Sequence, residues 1–295
     1  MKVLLYNLCS YLSMLTVLLG LLFFSSCYLD KIINQYIDYK GIHNNPKTEA
    51  IFSDNNDVNS KNYDNRIYIS KRQFIFSYYY INDEKKHFKV QRYIGQPNFF
   101  LGRLVPFNIK NDSTSVDKIG LYVYQGHNSK EGTTIKYDYY NDYKKQTFSR
   151  EKTWVDEGKS GIFLHPFRQL SFSVNYLYVY PQINFPLKMG EQWKLTLDIF
   201  EETNQIIKEH YRKESLIPNF LNHHSKIVSI EKVELPFKKL KCYKVETVAE
   251  DDITNYKGRM DYYFNEDYGF VKFFYYDAFN GCDLVVELED VIDYK

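Results

Sequence analysis

The chain has 295 residues, in which 38 Lys and Arg side chains are balanced by 37 Asp and Glu side chains. The formal net charge of +1 gives no overall positive field, which argues against a nucleic acid as the partner. The 29 Tyr and 22 Phe residues supply enough apolar area for a folded core, so the composition also excludes a largely disordered chain. The length suits one large domain or two smaller ones.

The first 26 residues have the composition of a secretion signal. Lys2 is the only charged residue among them, and an apolar run follows it. A positive start, an apolar run and small residues before a break are typical of a signal peptide. The break reads Phe24-Ser25-Ser26-Cys27 and resembles a lipobox, in which small residues precede the cysteine that is lipidated. We therefore expect cleavage before Cys27 and a lipid on its thiol.

A lipid on Cys27 implies a location in the cell envelope. A diacyl group on the thiol, usually joined by a third chain such as palmitate on the amine, anchors a protein far better than one acyl chain does. An aspartate after the lipidated cysteine commonly retains lipoproteins in the inner membrane, but here Tyr28 follows the cysteine. We therefore predict the outer membrane. The sequence does not distinguish its periplasmic leaflet from its outward-facing one. The alternatives are a plain signal peptide and an uncleaved helix from Tyr6 to Phe24, because about 20 apolar residues can cross a bilayer.

The residues after the lipobox predict a helix and a tether. Residues 28–41 have the apolar spacing of a short amphipathic helix. Residues 43–65 are rich in Asn, Asp and Ser and contain few large apolar side chains, so they cannot bury enough surface to order themselves. Residues 27–65 are therefore predicted to be a lipidated N-terminus and tether.

The sequence from residue 66 onward has mostly a period of two, which is typical of strands. The alternation is clearest at 67–70, 74–78, 119–124, 135–139, 172–180, 193–199, 260–264 and 282–289. Such a pattern indicates sheets with one buried and one wetter face, joined mostly by hairpins. We predict an all-β fold, built as a curved antiparallel sheet or half-barrel or as two sheets, with the short helix at its N-terminus. Residues 201–215 have a helix-like composition, but a long charged hairpin suits them equally.

Residues 185–295 carry an ordered series of motifs. The series begins with Pro186, Gly190 and Trp193 in the spacing P-x-x-x-G-x-x-W. It continues with strand-like, turn and aromatic segments at 226–233, 236–239, 241–245, 262–264 and 269–272. This series resembles the TapB-like domain of unknown function found in secreted bacterial lipoproteins.

The resemblance implies an antiparallel sheet curved around a helix or a cavity, akin to the periplasmic lipoprotein carriers, and it assigns no catalytic residues. The chain departs from the family at residues 236–239, where family members have Pro and Gly in the turn. We accordingly divide the mature chain into an N-terminal β region at 66–184 and a TapB-like β region at 185–295. Residues 161–168 also look like a segment of related uncharacterised lipoproteins, to which no function is attached.

For five residues the sequence predicts a structural role and not a catalytic or binding one. Gly190 and Gly269 are expected at turns or bulges that a side chain would hinder. Trp193 is expected in the core, on the same face as the apolar residues at every second position after it. Cys242 and Cys282 are expected to be free buried thiols, because a strand at 260–264 would separate them in a simple meander; a disulfide is the alternative.

His165 and Arg168 are the best candidates for a ligand-binding site. Pro166 biases His165 towards an extended backbone, which presents its side chain reproducibly. Arg168 can make a bidentate contact with a carboxylate. The alternative is a structural role, in which the two residues hold a loop.

The sequence predicts no metal site, no cofactor and no catalytic centre. His223 and His224 lie near His210, but adjacent residues of a strand point to opposite faces, and no HExxH or CxxC spacing is present. A histidine pair in a surface loop is the simpler interpretation. The sequence contains no GxSxG, P-loop or GxGxxG motif. Acidic residues at 201–202 and 250–252 could place two carboxylates at glycosidase distance, but acidic runs between strands usually only solvate a turn.

We therefore expect a non-enzymatic, lipid-anchored envelope protein that binds an apolar ligand or a protein partner. A surface carbohydrate-binding or adhesion module is the alternative, because tyrosine-rich strands can stack on sugar rings or form interfaces. A hydrolase is the third hypothesis. A deep apolar cavity would support the first, a flat exposed aromatic row the second, and converging carboxylates or a histidine–carboxylate pair the third.

Overall fold

The computed structural model describes residues 65–92, 102–109, 112–124, 132–142, 146–176, 180–198, 220–251, 256–279 and 281–294. The signal peptide, Cys27, the helix at 28–41, the tether as far as residue 64 and the segment 201–215 lie outside these residues and remain predictions. Within the described ranges, no helix is long and apolar enough to span a membrane.

The described ranges consist mainly of strands. The strands are β1 (Arg72–Ile81), β2 (His87–Arg92), β3 (Gly102–Pro106), β4 (Lys118–Val123), β5 (Thr133–Asn141), β6 (Gln146–Gly158), β7 (Gly161–Leu164), β8 (Gln182–Asn184), β9 (Gln192–Asp198), β10 (Phe220–Glu234), β11 (Lys239–Asp251), β12 (Tyr256–Asn265), β13 (Gly269–Phe279) and β14 (Cys282–Asp293). A 3₁₀ helix, η1 (Leu170–Tyr176), lies between β7 and β8. The strand pairs are antiparallel, which confirms the all-β, antiparallel prediction.

All fourteen strands belong to one sheet. Its order is β8-β7-β6-β5-β4-β1-β14-β13-β12-β11-β10-β9, and β2 and β3 branch from the Ile81 end of β1. The alternative of two sheets is therefore wrong. The reason is the pairing of β1 with β14 from Arg72 to Ile81, which joins the N-terminal and the C-terminal strands into one hydrogen-bonded ladder.

The two edges of this sheet are consecutive in the chain. β8 ends at Asn184 and β9 begins at Gln192, and the seven residues between these ends can span at most about 29 Å. A flat sheet with this strand order would separate its edges by about 50 Å, at ~4.8 Å per strand. The sheet must therefore curve. The hydroxyl of Tyr262 on β12 donates to the carbonyl of Gln182 on β8 (2.6 Å), so the inner face of the sheet meets itself there.

The inner face is aromatic because strand alternation places every second residue there. On β1, Phe74, Phe76, Tyr78 and Tyr80 are buried, whereas Tyr79 lies on the outer face and is half-buried. The same alternation continues on the neighbouring strands, so rings from β1, β5, β12 and β13 fill the interior. Burial of this aromatic area stabilises the fold.

Helix η1 packs inside the curved sheet. Phe172 is fully buried, and its ring centroid lies 4.8 Å from that of Tyr78 and 5.7 Å from that of Tyr139. The prediction of a strand over 172–180 is therefore wrong for residues 172–176. The alternating apolar residues resemble a strand, but the N–H of Phe172 donates to the carbonyl of Gln169 (3.2 Å), which makes a tight helical turn instead of a ladder.

Three of the predicted structural residues occupy the expected positions. Gly190 and Gly269 have φ angles of +79° and +73°, which confirms their predicted turn geometry. A Cβ atom at position 269 would lie 2.8 Å from the hydroxyl of Tyr68, so a larger residue would also collide. Trp193 on β9 is partly buried and packs against the core, as does Leu195 on the same face. The core prediction for Trp193 is confirmed, although the ring is not fully enclosed.

Candidate functional site

The loop after β7 brings His165 and Arg168 to one aromatic ring. The ring centroid of Tyr180 is 5.1 Å from that of His165, and 4.7 Å from the guanidinium carbon of Arg168. Trp154 and Phe163 stack 5.2 Å apart on β6 and β7, and Phe163 meets Tyr180 edge-on at 5.0 Å. We call these five residues the His165 cluster.

Buried hydrogen bonds fix the loop that carries the His165 cluster. The Tyr137 hydroxyl donates to the His165 carbonyl (2.8 Å), and the Glu151 carboxylate accepts from the Arg168 backbone N–H (2.8 Å). The Tyr139 hydroxyl also donates to Glu151 (3.1 Å). Burial raises the pKa of Glu151, although the backbone N–H and the positive charge of Arg168 both act to lower it.

The His165 imidazole is neutral near pH 7. Burial, together with the charge of Arg168, lowers the pKa of His165 to about 3. The side chains of the cluster contact one another, and the backbone of the loop is held from the inner face of the sheet. These contacts suit the structural interpretation of His165 and Arg168 better than a ligand-binding one, because the rings already use much of their surface on each other.

A second aromatic group lies on the outer face of the sheet. The strand register places Phe274 on β13 beside Val285 on β14, and Val285 beside Tyr79 on β1. Tyr79 stacks on His87 of β2 at 4.5 Å, with 12° between the ring planes. Phe107, which follows β3, meets His87 edge-on at 6.5 Å. We call these five residues the aromatic row.

The aromatic row runs at right angles to the chain direction across β13, β14, β1 and β2 and ends at Phe107, just beyond β3. Four strand steps separate Phe274 from Phe107, which corresponds to a length of about 19 Å. Phe107 is 49% exposed and His87 is exposed, whereas Tyr79 and Phe274 are half-buried. Val285, between Phe274 and Tyr79, is buried. The row is therefore a strip of accessible rings with one buried valine between two of them.

Polar groups flank the aromatic row on both sides. On one side, the guanidinium of Arg259 lies 4.6 Å from the ring of Tyr276, and the Tyr276 hydroxyl donates to Asp261 (3.0 Å). Burial and the Asp261 charge raise the pKa of Tyr276 to about 12, so this hydroxyl remains a donor. On the other side, Lys272 and Glu287 form an ion pair at 2.6 Å. The flanks therefore carry paired charges of both signs.

Sequence reasoning did not find the aromatic row. Its members come from positions 79, 87, 107, 274 and 285, and only the register of β1 with β14 and β2 places them side by side. The one available signal was the excess of tyrosine and phenylalanine at outward positions of the alternating segments.

The interior next to η1 is filled. The gap between Phe76, Tyr137, Phe167 and Phe273 has no room for a water molecule. Ring contacts such as that between Phe167 and Phe172, at 5.4 Å, account for the close packing. An apolar ligand could enter this part of the fold only by displacing core side chains.

The two adjacent histidines lie in β10, so the expectation of a surface loop is wrong. His223 is buried, and His224 faces the other way with its Nε2 3.4 Å from Glu250. Alternation along the strand separates them, as the sequence argument requires. The described part of the chain contains no group of three or more His, Cys, Asp or Glu side chains placed to hold a metal ion.

Cys242 and Cys282 are free and buried, which confirms the thiol prediction. They lie on β11 and β14, which β12 and β13 separate in the sheet. Three strand steps amount to about 14 Å, well beyond the reach of a disulfide. Burial raises the pKa of Cys242 to about 12, so its thiol is unreactive near neutral pH.

Comparisons with known proteins show a similarity of overall structure to three solved proteins. A protein of Bacteroides fragilis described as exported, with a YmcC-like fold, matches with a TM-score of 0.41 and 13% identity over 76% of this chain and 96% of its own. A protein of Parabacteroides distasonis described as a lipoprotein matches with a TM-score of 0.40 and 11% identity over 77% and 97%. The hypothetical lipoprotein YmcC of Escherichia coli matches with a TM-score of 0.32 and 10% identity over 78% and 91%.

No family model and no curated protein matches the sequence. The resemblance to the TapB-like family therefore stays a prediction, and the similarities to solved structures assign neither a family nor an activity to this chain.

Proposed function

We propose that the chain is a lipid-anchored, non-enzymatic protein of the outer membrane that binds a partner on the outer face of its sheet, along the aromatic row. The observation that carries this proposal is the row itself, in which accessible rings lie beside a buried valine and between charged flanks. Large contiguous apolar patches on a protein surface mark interaction sites more often than isolated apolar side chains do.

The filled interior favours this surface over an internal ligand site. The gap beside Phe76 and Phe273 cannot hold even a water molecule. A carrier of apolar ligands needs a concave site that encloses much of its cargo. Of the two kinds of partner expected from the sequence, a small apolar ligand therefore has less support than a partner bound outside the sheet.

The position of the row suits a protein tethered through its N-terminus. The described chain begins at Asn65, and the guanidinium of Arg72, at the start of β1, donates to the Ile67 carbonyl (3.0 Å). The row crosses β1 at Tyr79, seven residues further along, which is about 23 Å up the strand. The proposed binding surface therefore lies towards the end of β1 that is farther from the predicted tether.

Anchoring is tested by replacing the lipidated residue. We expect Cys27→Ala to move the protein from the membrane to the soluble fraction, or to leave the signal uncut, because the lipid transferase requires a thiol. Fractionation and intact-mass analysis of the N-terminus measure both effects. Normal cleavage together with unchanged membrane retention would contradict the proposed anchor.

Binding along the row is tested by photo-crosslinking in the cell that makes the protein. A benzophenone-bearing phenylalanine replaces Phe107 in one full-length chain and Met189 in another, because both side chains are about half exposed and only the first belongs to the row. We expect a crosslinked product at position 107 and none at position 189. The same products at both positions, or none at position 107, would refute the row as the binding surface.

A further inference from the structure

We infer that the aromatic row binds a neutral polysaccharide chain, in extended form, along its length. This inference rests on the proposed function and names the chemical class of the partner. It follows from the shape of the row, from the kind of side chains in it, and from the charges beside it.

The shape of the row favours a chain molecule. The rings of Tyr79, His87 and Phe107 follow one another, and Val285 on β14 separates Tyr79 from the ring of Phe274, so the surface is a strip of about 19 Å and not a pocket. A strip of this length can contact several consecutive pyranose rings of an extended oligosaccharide. A monosaccharide would cover only one or two of the aromatic side chains.

The side chains in the row suit sugar rings. A pyranose has one apolar C–H face, which packs against an aromatic ring, whose face carries partial negative charge. Four of the five members of the row are aromatic, and the fifth, Val285, is buried between Phe274 and Tyr79. Charged groups lie beside these rings: Arg259 packs on Tyr276, whose ring contacts that of Phe274, and Lys272 pairs with Glu287.

The charged flanks suit hydroxyl groups. Sugar hydroxyls both donate and accept hydrogen bonds, and the flanks supply both functions within reach of the rings. The guanidinium of Arg259 and the ammonium of Lys272 can donate, and the carboxylate of Glu287 can accept, whereas Asp261 is buried and holds Arg259 and Tyr276 in place.

The paired charges also indicate a neutral ligand. Arg259 is paired with Asp261 at 3.2 Å, and Lys272 with Glu287 at 2.6 Å. An acidic polysaccharide would have to compete with these carboxylates for the cations. A neutral chain can bind without breaking either ion pair.

The test is calorimetric titration of the full-length lipidated protein in a detergent without sugar, such as lauryldimethylamine oxide. The probes are three neutral hexasaccharides (cellohexaose, laminarihexaose and maltohexaose), glucose, and an alginate oligosaccharide as the acidic comparison. We expect at least one neutral hexasaccharide to bind more tightly than glucose and more tightly than alginate.

Leucine variants separate stacking from simple apolar contact. Phe107→Leu and Phe274→Leu keep an apolar side chain at each position but remove the ring, and we expect each to weaken hexasaccharide binding about tenfold. Phe237→Leu, at a half-buried aromatic residue outside the row, is the matched control and should bind as wild type does.

Two results would overturn the inference. One is the failure of all three neutral hexasaccharides to bind; the other is binding that the leucine variants leave unchanged. If position 107 nevertheless crosslinks to a protein in the cell, the row remains the binding surface and the partner is a protein. If position 107 gives no crosslink and no sugar binds, the proposed function fails as well.

Discussion

Burial and a neighbouring cation set the protonation state of His165. Its pKa in the folded protein is lowered to about 3, whereas a histidine in an unfolded chain titrates near pH 6.5. Between these values the unfolded chain binds a proton that the folded chain does not, so the free energy of unfolding falls as the pH drops below about 6.5. We expect a loss of about 2 kcal/mol between pH 7 and pH 5, measured by chemical denaturation.

A variant isolates the contribution of this residue. His165→Gln removes the titration, so the difference in unfolding free energy between wild type and variant should narrow as the pH falls from 7 to 5. A difference that stays constant over this pH range would show that His165 titrates normally in the folded protein.

At the scale of single residues, the sequence located what local rules determine. Gly190 and Gly269 were predictable because positive φ angles strongly favour glycine. The free thiols were predictable because intervening strands keep Cys242 and Cys282 apart. Tyr79 and Phe274 could not be recognised as parts of one surface, because the sequence around each residue does not show that both strands pair with β14.

Between the tether and the first strand, one carboxylate fixes the start of the described fold. Glu157 on β6 accepts the backbone N–H groups of Arg66 (2.8 Å), Ile67 (3.0 Å) and Tyr68 (2.8 Å). Three successive N–H groups around one anion form a concave anion-binding arrangement. The carboxylate thereby joins the segment before β1 to a strand that lies three places away in the sheet.

Removing this carboxylate should loosen the start of the fold. We expect Glu157→Ala to lower the free energy of unfolding by about 2 kcal/mol, since hydrogen bonds to a charged group are stronger than neutral ones and several are lost together. Hydrogen exchange at residues 66–68 should accelerate more than exchange in β1. Glu266→Ala, in the exposed turn after β12, is the control and should change neither measurement. Unchanged protection at residues 66–68 would mean that Glu157 does not hold this segment.

At the scale of elements, the alternation of apolar and polar residues predicted where strands occur. It did not predict the order of the strands in the sheet. The segments at 119–124, 135–139 and 282–289 correspond to β4, β5 and β14. Alternation failed at η1, where Phe172 inserts into the core from a helical turn, because burial of a ring outweighs local strand preference. Strand order depends on the long-range pairing of β1 with β14, which joins residues more than 200 positions apart.

Across the whole molecule, the curvature of the sheet and the filling of its interior are coupled. The edges β8 and β9 are joined by a short connection, so the inner face must close around some volume. Aromatic side chains and η1 occupy that volume, with Phe172 in contact with Tyr78 and Phe167. Because the described space beside η1 is filled, the proposed function is placed on the outer surface, at the aromatic row.

The filled interior can be opened by one substitution. Phe172→Ala should lower the free energy of unfolding by about 3–5 kcal/mol, because the rings around it cannot fully collapse into the space. The remaining apolar cavity should bind a small apolar molecule such as benzene and raise the melting temperature of the variant. The wild type should show no such rise, since its interior gap does not admit even water.

Phe107→Ala, at an exposed ring, is the control. It should change the unfolding free energy by less than about 0.5 kcal/mol and gain no response to benzene. If benzene stabilised the wild type as much as the variant, a cavity would already exist within the sheet, and the hypothesis of an internal apolar ligand would replace that of a surface partner.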